Sequence, residues 1–226
     1  MRDIKAVLFD MDGVLLDTES VCRSCWRRAA AEYNVPGIDG IFLQCVGRSR
    51  RDTELFLRRY FAGAEEAVSF RERTGELFSV VEREEGLRKK PFAAECLDSL
   101  RKAGFRLALA SSTRSVKVRP QLENAGILHY FETLTTGDLV SRSKPDPEIY
   151  LRAAASLSLS PEECVAVEDS PNGVRSAAGA GIRCVMVPDL IQPDDEMREM
   201  AWRIFPSLRE TAEFLRGQCT SASKCG

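Results

Sequence analysis

Four short runs of this sequence are apolar almost without interruption: "IKAVLFD" (4–10), "FRLALAS" (105–111), "CVAVED" (164–169) and "RCVMVP" (183–188). A strand with one wet face alternates apolar and polar residues. A run that does not alternate is buried on both faces, the pattern of a parallel sheet covered by helices on each side. The segments between these runs carry helical periodicity. Residues 92–103 set Phe92, Cys96, Leu97, Leu100 and Ala103 on one stripe, with Gly104 at the stop. "SPNGVRSAAGAG" offers Ser170 as N-cap, Pro171 at the first helical position and Gly181 as terminator. Strand and helix alternating at this spacing specify an α/β, doubly wound parallel sheet.

One stretch departs from the alternation. Residues 17 to 86 contain no convincing strand but several amphipathic segments, "SVCRSCWRRAAAEY", "RDTELFLRRYF" and "EEAVSFRERTGELFSVVERE" among them. A helical block after the first strand reads as an inserted small domain. The expected organisation is a core of residues 1–16 and 87–216, an α-helical insert of 17–86, and a disordered tail of 217–226 ending in "CTSASKCG".

Composition narrows the class. The 226 residues are 44% hydrophobic and 29% charged, as in ordinary globular proteins, and suffice for a large core without staples. The 32 Lys and Arg nearly balance the 34 Asp and Glu, which gives no electrostatic footprint for nucleic acid or a membrane surface. No apolar run approaches the roughly 18 residues of a membrane span, and the chain enters a strand without a secretory signal. A cytoplasmic protein is the expectation, with oligomeric state left open and a monomer as the working assumption. Cys45, Cys96, Cys164 and Cys184 sit among apolar residues as small hydrophobes. Cys22 and Cys25 form a lone C-x-x-C without a second pair or a nearby His, which argues against zinc.

In open α/β sheets, ligands bind outside the carboxyl ends of the strands. The first run here ends in Asp10 and Asp12, the second in Ser111, Ser112 and Thr113, the third in Glu168 and Asp169. Between the last two lies "SKPDPEIY", with Lys144 ahead of a helix start. Neighbouring carboxylates repel and are costly to desolvate unless something positive lies between them. Asp10, Glu168 and Asp169 are hard oxygen donors of the kind that hold Mg2+. With such an ion, Asp10 is a candidate nucleophile toward a phosphate, and Asp12 a candidate general acid and base. Ser111 and the amides after it can bind phosphoryl oxygens, with Lys144 as a point charge beside the developing negative charge.

Four motifs in this order, "DMDGV", "LASS", "SKPDP" and "VEDSPNG", closely resemble those of the haloacid-dehalogenase-like superfamily. The resemblance spans nearly the whole chain. It implies a Rossmann-like core with a helical cap inserted after the first strand, and an aspartyl-phosphate on Asp10. It also implies Mg2+ held by the Asp10 side chain, the Asp12 backbone carbonyl, Asp169 and Glu168. Members that cleave carbon–halogen or carbon–phosphorus bonds lack an acid at the place of Asp12, so its presence points to phosphate esters. The wording "DGVLLDTES…SKPDPEIY…VEDSPNG" looks most like the subgroup of beta-phosphoglucomutases and small sugar-phosphate phosphatases.

Other residues carry weaker signals. Arg50 in "GRSRRD" aligns with a substrate-phosphate contact of the mutase subgroup, and Gly47 of the same run is a further substrate-binding candidate, while Arg48 and Arg51 read as a solvated helix start. Ser112, Thr113 and Arg114 are candidates for substrate binding beside the phosphate turn. Arg73 aligns only loosely, and His129 reads as a packing residue. The expected activity is Mg2+-dependent hydrolysis of a small phosphorylated metabolite, a sugar phosphate by preference. A phosphoglucomutase-type mutase and a catalytically silent regulator are the alternatives. Mutases resembling this chain hold back the acid with a cap histidine, and here Cys22 stands at that place, unable to act as a charged partner.

Overall fold

The structure is a computed structural model that describes residues 3–46 and 50–219, the side chains of residues 50–52 and 219 excepted. Gly47 lies outside the described residues, as does the Arg50 side chain. The chain divides into two compact units, residues 1–16 with 88–226, and residues 17–87.

The first unit is built on six parallel strands: β1 (Ala6–Phe9), β2 (Arg106–Ser111), β3 (Thr133–Thr136), β4 (Cys164–Glu168), β5 (Arg183–Met186) and β6 (Arg203–Ile204). Their order across the sheet is β3-β2-β1-β4-β5-β6. β1 runs parallel to β2 on one side, Val7 opposite Leu107, and to β4 on the other, Val7 opposite Val165. Every residue of β1 and β4 is buried, as the continuous apolar runs require. Side chains alternate between faces. Ala6, Leu8, Ala108, Ala110, Cys164 and Ala166 form one core cluster with Ile149 and Tyr150 of α7 (Glu148–Ser156) and Val174 and Ala177 of α8 (Pro171–Gly179). Val7, Phe9, Leu107 and Leu109 point to the opposite face and are equally buried. There α5 (Ala93–Lys102) packs on β2, and α10 (Leu208–Cys219) packs on α5. Small residues on the first face let α7 and α8 approach closely, while the larger ones on the second fill the space under α5.

Two strands were not legible. "TLTT" of β3 is polar and only its last two residues are buried, and β6 is a two-residue edge strand. α10 runs to Cys219, past residue 216 where the sequence suggested order would end. Its buried stripe of Leu208, Ala212 and Leu215 outweighs the roughly 1 kcal/mol that Gly217 costs in a helix.

The second unit holds α1 (Thr18–Tyr33), α2 (Ile38–Cys45), α3 (Arg50–Leu57) and α4 (Ala64–Glu84), with no strand among its described residues. Trp26 of α1 meets Phe42 and Phe70 edge-on at 5.2 and 5.5 Å, and Tyr33 meets Phe70 at 5.6 Å. Such T-shaped contacts add about 0.5–1.5 kcal/mol each beyond burial. Arg27 grips Asp39 with two hydrogen bonds, tying α1 to α2, and Arg73 does the same to Glu32, tying α4 to α1. Arg73 is therefore an exposed helix-to-helix clamp of this unit. No described helix is long and apolar enough to cross a membrane.

Candidate active site

The strand order has a topological switch beside β1. The chain winds outward from β1 through β2 to β3, then returns to lay β4 against the other side of β1. Connections leaving β1 and β4 go opposite ways there, which opens a crevice at their carboxyl ends. Asp10 follows β1 directly, Glu168 ends β4 and Asp169 follows it. The amide of Asp10 donates to the carbonyl of Val167 at 3.0 Å, fixing the two strand ends in register. Candidate donor oxygens of Asp10, Glu168 and Asp169, all buried, lie within 4.8 Å of one another.

Lys144 comes to this point from the β3–α7 connection. Glu148, at the start of α7, accepts hydrogen bonds from the amides of Ser141 and Arg142, and Ser176 of α8 donates to the carbonyl of Asp146 at 2.6 Å. A loop pinned at both ends delivers the lysine. Its Nζ reaches Asp10 Oδ1 at 2.6 Å, Glu168 Oε1 at 2.6 Å and the Ala110 carbonyl at 2.9 Å. All three charged side chains are nearly closed to solvent, at 8%, 9% and 1% exposure for Lys144, Asp10 and Glu168. Glu168 Oε1 also receives the Tyr150 hydroxyl at 2.6 Å.

Charge and burial compete here. Burial pushes the Asp10 carboxyl well above the carboxylate range; the Lys144 ammonium pulls it back, while Glu168 and Asp12 repel it further. For Lys144, burial pulls downward, but the two carboxylates outweigh it and the ammonium stays charged. Burial, reinforced by Glu168 and Asp10, raises the Tyr150 phenol well above its ordinary value, so it remains a neutral donor.

Two glycines make the approach possible. Gly13 has φ +79°, and a Cβ there would stand 2.2 Å from Asp169 Oδ2 and 3.4 Å from Asp189 Oδ2. Asp189 Oδ1 accepts from Lys90 at 2.7 Å, whereas its Oδ2 is buried without a hydrogen-bond partner. Gly173 lies in the first turn of α8, where a Cβ would fall 1.9 Å from Glu168 Cδ. Ser170 caps this helix by accepting the Gly173 amide at 3.2 Å. The positive end of α8 thus rests on the buried carboxylate. Gly173→Ala has no room to be absorbed, because Glu168 is held by Lys144 and Tyr150. The variant is expected to lose about 1–3 kcal/mol of stability, the scale of overpacking, read from a urea melt. An unchanged midpoint would mean that α8 can withdraw from Glu168.

The second motif forms its own cluster. Thr113 Oγ1 donates to Asp12 Oδ2 at 2.8 Å, the Ser111 hydroxyl stands 3.4 Å from the same oxygen, and the Thr113 amide donates to Ser111 Oγ at 3.1 Å. Ser112 is exposed, and Arg114 is exposed just before α6 (Ser115–Asn124). The structure thus brings together Asp10, Asp12, Ser111, Thr113, Lys144, Glu168 and Asp169. His129 is not the packing residue expected: it is exposed, its ring 4.1 Å from that of Tyr130. Tyr150, Gly13, Gly173 and the Lys90–Asp189 pair were missed. Tyr150 alone left a trace, since a tyrosine on the apolar stripe of a helix needs a partner for its hydroxyl.

The sequence matches the haloacid dehalogenase-like hydrolases over residues 4–181. A Thermotoga maritima protein named "Phosphorylated carbohydrates phosphatase" is 35% identical over 183 residues, 79% of this chain and 82% of its own length. "Hexitol phosphatase A" of Escherichia coli is 33% identical over 183 residues, covering 81% and 82% of the two chains. The crystal structure of CbbY from Rhodobacter sphaeroides in complex with phosphate is 29% identical, with a TM-score of 0.73, covering 92% of this chain and 96% of its own. Motifs, strand order and sequence similarity agree: this chain belongs to the haloacid dehalogenase-like hydrolases.

Proposed function

We propose that this protein is a Mg2+-dependent phosphatase that hydrolyses the phosphate ester of a small sugar or sugar alcohol through an aspartyl-phosphate on Asp10. The observation that carries this reading is Lys144, bonded at once to Asp10 and Glu168 at the switch point of the sheet, with Asp169 and Asp12 alongside. The substrate class follows the named activities of the phosphorylated-carbohydrate and hexitol phosphatases.

The residues fit a hard divalent cation. The donors are all carboxylate oxygens, which suit Mg2+ and not a soft metal. Both Glu168 oxygens already accept hydrogen bonds, Oε1 from Lys144 and Tyr150 and Oε2 from the Asp169 amide and the Ser170 hydroxyl, while Lys144 takes Oδ1 of Asp10. The ion therefore falls to Asp10 and Asp169, with the Asp12 carbonyl as the family resemblance implies. The partnerless, buried Oδ2 of Asp189 beside Gly13 adds an acceptor for which the described protein supplies no donor. When bound, Mg2+ supplies the positive charge that orients the phosphoryl group and withdraws charge from it.

Asp10 then attacks phosphorus, and the bond to the ester oxygen breaks. Asp12 gives its proton to the departing alkoxide. In the second half, Asp12 takes a proton from water as that water attacks phosphorus. The bond to Asp10 breaks, releasing inorganic phosphate and the free carboxylate. Lys144 holds Asp10 in line and balances charge on the phosphoryl oxygens.

A screen of phosphorylated sugars and sugar alcohols with Mg2+, following phosphate release, tests the reading. Chelation is expected to cut turnover by roughly a hundredfold or more, the scale of several kcal/mol of Lewis-acid stabilisation. Beta-glucose 1-phosphate with a trace of the 1,6-bisphosphate is the discriminating sample. Conversion to glucose 6-phosphate with little phosphate released would make this a mutase instead.

A further inference from the structure

Asp12 does not hang from a flexible turn. Its Oδ2 accepts the Thr113 hydroxyl at 2.8 Å, and Thr113 fixes the neighbouring Ser111 hydroxyl through its own amide. The segment that carries Thr113 is braced in turn. The Gly137 amide donates to the Thr113 carbonyl at 2.9 Å, and a Cβ at Gly137 would lie only 2.1 Å from the Ser112 carbonyl oxygen. One residue on, Asp138 accepts from the Ser115 amide at 2.7 Å, the Ser115 hydroxyl at 2.6 Å and the Thr136 hydroxyl at 2.8 Å. A β-branched side chain on so fixed a backbone has little χ1 freedom. Asp12, Thr113, Gly137 and Asp138 all belong to the first unit.

We infer that Thr113 is the positioning residue for Asp12, and that it keeps the acid/base in its working orientation whether or not a sugar is bound. The inference rests on the proposed phosphatase reading and deepens it. Substrate binding was the role expected of Thr113 from sequence; the geometry gives its hydroxyl to the Asp12 carboxylate. The functional consequence concerns the second half-reaction. There water forms a bond to phosphorus, loses its proton to Asp12, and the bond between phosphorus and the Asp10 carboxylate breaks. An enzyme that must save its phosphoryl group for a second sugar needs the base out of place until that sugar arrives. Here the base is held in place by its own unit, which commits the phospho-enzyme to water. Thr113 and Asp12 together are thus a specificity device for hydrolysis over transfer.

p-Nitrophenyl phosphate separates this role from a structural one, since its leaving group needs no acid and the first half-reaction survives a displaced Asp12. Thr113→Val, nearly isosteric, is expected to slow phospho-enzyme hydrolysis by about 10- to 100-fold, part of the 10²–10⁴ range of general-base catalysis. The variant should release one equivalent of nitrophenol in a burst, accumulate acid-stable-labelled phospho-enzyme, and then turn over slowly. Thr113→Ser should stay within about threefold of wild type, because it restores the hydroxyl. A thermal melt accompanies each variant, and Thr113→Ala replaces the valine should that variant fail to fold. Thr113→Val turning over like wild type, without a burst, would overturn the inference. So would a raised KM with unchanged kcat, which would return Thr113 to substrate binding. A wild-type enzyme that releases no phosphate at all would instead sink the phosphatase reading.

Discussion

Asp10→Asn is expected to lower turnover by at least about three orders of magnitude, the scale on which nucleophilic units fail. The amide keeps the shape of the carboxylate but lacks its nucleophilic charge, and it is a poor ligand for a hard cation. The fold should tolerate the change. Lys144 retains Glu168 at 2.6 Å and the Ala110 carbonyl at 2.9 Å, so no buried cation is stranded. Asn also relieves the repulsion that Glu168 and Asp12 exert on a carboxylate already penalised by burial. The melting temperature of the metal-free variant should therefore stay within a few degrees of wild type or rise. Loss of activity with an intact melt separates a chemical role from a structural one. Activity within tenfold of wild type would rule out an aspartyl-phosphate on this residue.

Asp10 was legible in the sequence because two signals coincide on it. A continuously apolar run predicts a central parallel strand, and its carboxyl end is where such a sheet places ligands. The same logic marked Ser111, Glu168 and Asp169, and these residues converge in the fold. Lys144 was legible only through its motif, since nothing in one lysine tells how far a loop will carry it. Thr113 was seen, but its hydrogen bond to Asp12 was not. Its place beside the phosphate turn suggested substrate binding, while the hydroxyl's partner depends on the side-chain rotamer and on the bracing by Gly137, neither of which leaves a pattern in the sequence. The close approach of α8 to Glu168 was equally silent: "SPNG" announces a helix start, not that Gly173 must lack a Cβ. β3 failed for a different reason. Its four residues are mostly threonine, and its place in the sheet comes from pairing with β2, Ala108 opposite Thr133 and Ser111 opposite Thr136. Tertiary pairing overrides weak local apolarity in such a strand.

Lys144→Met should be the most damaging change to stability and activity together. The methionine fits the lysine's volume but leaves Asp10 and Glu168 buried beside each other without their shared cation. Breaking a buried ion pair by removing one partner costs about 3–5 kcal/mol, here on the order of a 10 °C drop in melting temperature for a chain of this size. Turnover is expected to fall by roughly 10²–10³, the loss typical of one electrostatic donor in a water-excluded site. Arginine should not rescue it. Nζ satisfies three acceptors at 2.6, 2.6 and 2.9 Å from a single point and lies 5.1 Å from the Tyr150 ring centroid. A planar guanidinium cannot contract to that point, and its extra volume would have to enter a packed core. The decisive comparison is the melt with and without Mg2+. If Asp10 and Asp169 hold the ion, adding it returns positive charge to the cluster, and the deficit of the Met variant should narrow while its turnover stays low. A deficit that Mg2+ leaves untouched would mean the ion does not bind beside Asp10. An Lys144→Met enzyme that melts and turns over like wild type would show that the carboxylates find their neutralising partner elsewhere.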